Sequence, residues 1–131
     1  MSTATDIYLT KAQGSLAGAE SEFANGRYNN CANRCHYGCF QAAIAALNRA
    51  GVTPVGSTWG HAFVQAQFVG ELINRRHLYP TELRDTLVRA LIVREQADYK
   101  LASVGQTQAS RIVARTRAFV ATIARQQGGT R

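Results

Sequence analysis

The chain has 131 residues, 46% hydrophobic and 18% charged, with 15 Lys/Arg against 8 Asp/Glu for a net charge of +7. That length suits one ordinary domain that buries roughly two thirds of its unfolded surface, so no disulfide or metal is needed to staple it. No apolar run approaches the roughly 20 residues of a membrane span, no signal-peptide pattern opens the chain, and its three cysteines are an odd number for a disulfide framework; a cytoplasmic protein with reduced thiols is expected.

Period-two alternation is missing over any useful length and alanine is frequent, so the fold expected is all-α. It is an up-and-down bundle of four to five helices in one domain over residues 1–127, with 128–131 as a flexible tail. The first helix is predicted over residues 6–25, with Leu9, Ala12, Leu16, Ala19 and Phe23 on its packing stripe and Gly26 as its stop. The second is predicted over residues 28–50, ending at Gly51, and the short connection makes these two an antiparallel hairpin. Cys31, Cys35 and Cys39 recur along it at every fourth position. Eight residues of helix span about 12 Å, too far for the outer two thiolates to share one zinc at about 2.3 Å, so the thiols read as small core side chains. His36, near Phe40, Ile44 and Leu47, reads as a buried, hydrogen-bonded histidine. Arg34 and Tyr37 belong to the polar side with Asn30 and Gln41, either lining a groove or facing solvent.

Residues 52–57 include Pro54 and Gly56 and read as a loop, with Ser57 or Thr58 capping a third helix over residues 59–74. His61, in its first turn, is the histidine best placed for acid–base or anion chemistry. Arg75, Arg76 and His77 follow in a basic connection suited to phosphate or to solvent. Pro80 opens the fourth helix, Glu82 and Asp85 lie near its positive end, and it is predicted to reach residue 102 before Gly105 closes it.

The fourth helix carries the most telling pattern. Counted at about 100° per residue from Leu83, Leu87 falls at about 40°, Leu91 at about 80°, Arg94 at about 20°, Asp98 at about 60° and Leu101 near 0°. Two charges therefore share a leucine face. Desolvating an unpaired charge costs several kcal/mol or more, so Arg94 and Asp98 are expected to border a cleft or an interface, or to orient each other.

The fifth helix is predicted over residues 107–126. Residues 106–131 hold five arginines and no acid, whereas the preceding residues hold ten Lys/Arg against all eight Asp/Glu. Arg111, Arg115 and Arg125 form one edge, and Ile112, Val113, Phe119, Val120 and Ile123 form the packing face. The edge is either a solvated surface or a phosphate-binding one whose binding weakens steeply with salt. No Gly-rich phosphate loop, HExxH, paired carboxylates or Ser-His-Asp context is present.

Several stretches recur in a familiar order and spacing: Lys11-Ala12 through Ala19, Tyr28 with the run from Asn33 to Ala43, His61 with Phe68, and Arg94 with Ala97-Asp98-Tyr99. From about residue 7 to 124 the chain resembles the HEPN family, the "higher eukaryotes and prokaryotes nucleotide-binding" helical domains, in its small stand-alone prokaryotic form. The resemblance implies a helical bundle that often pairs into a two-fold dimer. Many relatives are metal-independent ribonucleases acting as toxins or defence effectors, frequently partnered by a minimal nucleotidyltransferase that serves as antitoxin. On that footing Arg94, Asp98, Tyr99 and His61 are the candidate catalytic residues. Arg34, Tyr37, Arg75, Arg76, Arg111 and Arg115 are the candidate contacts to RNA or nucleotide; no metal or cofactor is expected.

The nuclease signature of the family is an arginine followed, after four to six residues, by histidine. Neither residues 29–31 before His36, nor 54–56 before His61, nor 70–72 before His77 include an arginine. After Arg94 the matching place holds Tyr99, so a phenol replaces the imidazole that would exchange protons near neutral pH. The place two further on, where some relatives carry a tyrosine modified by the antitoxin, holds Leu101. Three readings follow: a dimeric RNA-directed effector, a non-catalytic module that binds a nucleotidyltransferase, and a nucleotide sensor using Arg34, His61 and Arg94.

Overall fold

A computed structural model describes residues 3–128. Five α-helices succeed one another: α1 (Ala4–Ala24), α2 (Tyr28–Arg49), α3 (His61–Gln67), α4 (Thr86–Tyr99) and α5 (Gln106–Gly128). α3 runs on into a π-helical segment, Phe68–Arg75, and a 3-10 turn, Thr81–Leu83, precedes α4. Among the described residues there is no strand, and no helix is long and apolar enough to cross a membrane.

α2 packs against all the other helices. Its side chains explain that position: Cys31, Ala32, Cys35, Cys39, Ala42, Ala43, Ala45 and Ala46 are buried and small, so neighbours approach from several sides. The closest crossing is at Gly38, where an added Cβ would lie 3.4 Å from Thr116 Cγ2 of α5 and 3.6 Å from Ser15 Cβ of α1. Beside this small-residue seam the bulk is aromatic, with the Phe68 and Phe119 rings 5.0 Å apart and Phe68 and Tyr79 stacked at 5.4 Å.

The predicted helix stops hold at the hairpin. Gly26 and Gly51 follow α1 and α2 with φ of 75° and 84°, the left-handed conformation that glycine adopts without strain. α1 starts two residues earlier than expected, because Thr3 caps it and Asp6 returns a bond to the Thr3 amide. The start of α3 departs from expectation: Gly60 is its N-cap, Ser57 and Thr58 lie exposed in the loop, and half-buried Trp59 packs towards Phe63 at 6.3 Å. Burial of that indole sets where the chain turns, overriding the hydroxyl caps. Pro80 opens the 3-10 turn instead of α4, which begins only at Thr86.

The end of α4 is also corrected. Lys100 leaves the helix with ψ of 154°, so residue 102 is not reached, and Leu101 is fully exposed instead of continuing the leucine face. The short connection is fastened from both sides. The Val104 amide donates to Asn29 Oδ1 at 2.9 Å, while the Gln96 and Gln108 side chains exchange bonds of 3.0 and 2.9 Å. α5 reaches Gly128, and the rest of the tail expected at 128–131 lies outside the described residues.

Candidate functional site

Thr86, Leu87 and Ala90 are the buried face of α4, and Arg94 continues that face towards the helix end. Its Nε lies 3.2 Å from Asp98 Oδ2, with the two side chains 21% and 29% exposed. The charges on the leucine face thus neutralise each other at the rim of the bundle. α2 supplies the neighbours from positions one turn apart: Asn33 Nδ2 donates to Asp98 Oδ2 at 3.4 Å, and the Tyr37 ring lies 5.6 Å under the Arg94 guanidinium. Arg94 is therefore restrained on two sides, by a carboxylate and by a ring face.

Histidines from two helices meet beside it. His36 is buried, and its ring stacks on His61 at 4.9 Å, while His61 also stacks on Phe40 at 4.4 Å. His36 is as buried as its sequence neighbourhood predicts, but its Nε2 has no hydrogen-bond partner among the described residues. Burial, followed by the charges of His61 and Arg94, pushes its pKa down to about 4. Burial and then the Arg94 charge also lower that of His61. Both shifts favour the neutral imidazole, and His61 is the more exposed of the two.

Asp98 also faces a second space. A groove of about 790 Å³ runs between α1, the start of α2 and the end of α4, bordered by Asn30, Asn33, Arg34, Glu22 and Asp98. It is lined by one arginine and two carboxylates, of which Glu22 is paired with Arg27 and Asp98 with Arg94. Arg34 lies along Gly18 and close enough to Glu22 for its charge to act on that carboxylate.

The remaining candidates lie elsewhere. Tyr99 comes five residues after Arg94, about 140° round the helix, and is 74% exposed. Arg75 and Arg76 both pair with Glu71, which they hold down at about pKa 2, and Arg76 also donates to Ala50 O at 2.9 Å. They clip the π-helical end of α3 to the end of α2. Arg115 bonds Asp85, which Arg89 also engages, on the face of α4 turned about 140° from Arg94; Arg111 is exposed on the same helix as Arg115. Arg94, Asp98, Tyr37 and His61 come together, then, with Arg34 across the adjoining groove. Asn33 and His36 join them without having been singled out for it; the four-residue steps from Asn33 to Tyr37 and from His36 to Phe40 were the available signal.

A family model described as "HEPN domain" matches residues 5–126. The chain belongs to the HEPN family. No curated protein matches it. In this HEPN domain the Arg94 charge acts on two imidazoles from other helices, His36 of α2 and His61 of α3. Among the described residues no three His, Cys, Asp or Glu side chains are grouped to hold a metal ion.

Proposed function

We propose that this HEPN protein is an RNA-directed effector, toxin-like in use, in which Arg94 holds a phosphate and His61 moves the proton. The observation that carries the reading is the restrained Arg94 guanidinium, held between Asp98 and Tyr37, with a neutral imidazole from another helix beside it. A guanidinium offers a planar fork of donors suited to the non-bridging oxygens of a phosphodiester. His61 takes the proton of the 2′-hydroxyl, O2′ bonds to the adjacent phosphorus, and the P–O5′ bond breaks. A 2′,3′-cyclic phosphate remains, and the departing O5′ takes a proton from the imidazolium. Asp98 orients Arg94, and Tyr99 has no part in the step.

The test is a structured, end-labelled RNA at low salt with the parent, Arg94→Ala and His61→Ala proteins. The parent is expected to bind and cut, Arg94→Ala to lose both, and His61→Ala to bind without cutting. A parent that neither binds nor cuts, or an Arg94→Ala protein as active as the parent, removes the reading.

A second reading has its own support. Ile92 and Tyr99 fall within about 20° of each other on the outer face of α4 and are 56% and 74% exposed, with fully exposed Leu101 just beyond. Such side chains favour contact with a protein, a second copy or a nucleotidyltransferase partner. If that contact is the whole function, Ile92→Asp abolishes complex formation and toxicity together while His61→Ala leaves both intact.

A further inference from the structure

Gly14 and Gly18 stand one turn apart inside α1, where glycine is destabilising relative to alanine. Neither has a positive φ. Close packing does not call for them either: a Cβ on Gly14 would meet no atom within 4 Å, and one on Gly18 would meet only the Arg34 side chain, at an ordinary 3.6 Å. What the two glycines leave open is one wall of the groove beside Asp98. Its volume of about 790 Å³ is that of a site for a small organic group.

The facing surfaces are polar. Asn30 and Asn33 come from α2, Glu22 from α1 and Asp98 from α4. Asp98 meets Arg94 and Asn33 through Oδ2 alone, so among the described residues its Oδ1 is left as an acceptor. Asn30 Nδ2 donates to Glu22 Oε2 at 2.9 Å and Asn33 Nδ2 to Asp98 Oδ2, so both amides keep their oxygens as acceptors beside Asp98 Oδ1; acceptors reward a base edge carrying an amino group and repel one carrying only carbonyl oxygens. Adenine, cytosine and guanine carry an exocyclic amine, and uracil carries none. One residue, Asp98, thus borders both the phosphate-holding arginine and the groove.

We infer that the groove is a base-recognition subsite, taking an amino-bearing base of the nucleotide next to the phosphate on Arg94 and discriminating against uracil. This rests on the RNA-directed reading. Gly14 and Gly18 supply the room, and Asp98, Asn30 and Asn33 supply the base contacts, with Glu22 holding the Asn30 amide.

The test is fluorescence anisotropy at low salt with labelled 2′-O-methyl octamers of adenosine, cytidine and uridine, which cannot be cut through the 2′-hydroxyl. The parent is expected to bind the adenosine and cytidine octamers about tenfold more tightly than the uridine octamer, the size of one good base-edge contact. Gly14→Leu fills the groove from a position where a side chain has room; it is expected to keep its helix content and its hold on uridine while the preference falls within about twofold. Glu22→Gln, which loosens the hold on the Asn30 amide, narrows the preference without filling the space. Arg94→Ala weakens all three octamers alike. Equal binding of the three by the parent, or a preference that survives Gly14→Leu undiminished, overturns the base subsite and leaves the RNA-directed reading standing. Binding of none overturns both.

Discussion

The Arg94 guanidinium lies over the Tyr37 ring, its central carbon 5.6 Å from the ring centroid. A ring face attracts a cation and also blocks its movement, and at a half-exposed site that contact is worth about 0.5–1 kcal/mol. Tyr37→Phe keeps the face and is expected to bind RNA as the parent does. Tyr37→Leu frees the guanidinium and is expected to weaken binding about two- to fivefold, with stability at pH 7 little changed. Affinity titration of the two variants beside circular dichroism melts reads this directly; equal loss in both would place the phenol hydroxyl, not the ring, in contact with the ligand.

His36 makes stability depend on pH. Its pKa is about 4 in the folded chain against 6.5 ordinarily, because burial disfavours the charged ring. Between those values the unfolded chain binds a proton that the folded chain does not, so stability is full above about pH 6.5 and is lost as pH falls towards 4. The interval is worth up to about 3 kcal/mol. His61 adds to the loss in the same direction. His36→Phe removes the titrating group and a buried nitrogen without a partner, and is expected to flatten the fall in chemical-denaturation free energy between pH 6.5 and 4 while keeping stability at pH 7.

The same electrostatics shape the catalytic profile. Because His61 is lowered from 6.5, the acid limb of RNA cleavage is expected below the ordinary histidine range, and replacing the Arg94 charge by glutamine moves it upward in whatever activity remains. An acid limb above pH 7 in the parent would contradict the neutral-imidazole role.

How far the sequence foretold this site depends on which interactions are local. Arg94 and Asp98 are four residues apart on one helix, so periodicity alone shows that they share the buried face and meet. Gly26 and Gly51 announce the hairpin because only their backbone conformation suits a helix stop. Tyr99 is placed by counting along the chain, whereas the stacking of His61 on His36 and Phe40 is a tertiary contact that no local spacing encodes. The cap at Gly60 and the exit at Lys100 fail for a similar reason. Burial of Trp59 and the Asn29 bond to Val104 decide them, and both depend on packing.

At Gly38 three helices converge, and the tolerance for side-chain volume there is about one methyl group. An alanine Cβ would sit 3.4 Å from Thr116 Cγ2, close to ordinary contact, whereas a leucine has nowhere to extend between α1 and α5. Gly38→Ala is expected to be near neutral, and Gly38→Leu to cost about 1–3 kcal/mol or more by forcing the helices apart. Denaturant midpoints for the pair check the claim, with helix content showing that the fold is retained.

The arginines of α5 are expected to act on affinity without selectivity. Arg115 is paired with Asp85, on a face of α4 turned away from Arg94, and neither Arg115 nor exposed Arg111 lines the groove beside Asp98. A distant cation still attracts a polyanion and releases counterions when a phosphate comes near. Arg111→Gln with Arg115→Gln is therefore expected to lower RNA affinity evenly across sequences and to reduce the slope of log affinity against log salt by about 1–2, with the cleavage pattern unchanged. Arg94→Ala is expected to differ in kind, removing cleavage at every salt concentration. If the α5 double variant instead abolished cutting while Arg94→Ala spared it, the phosphate that reacts would have to lie on α5, and the seat of chemistry would move away from Arg94.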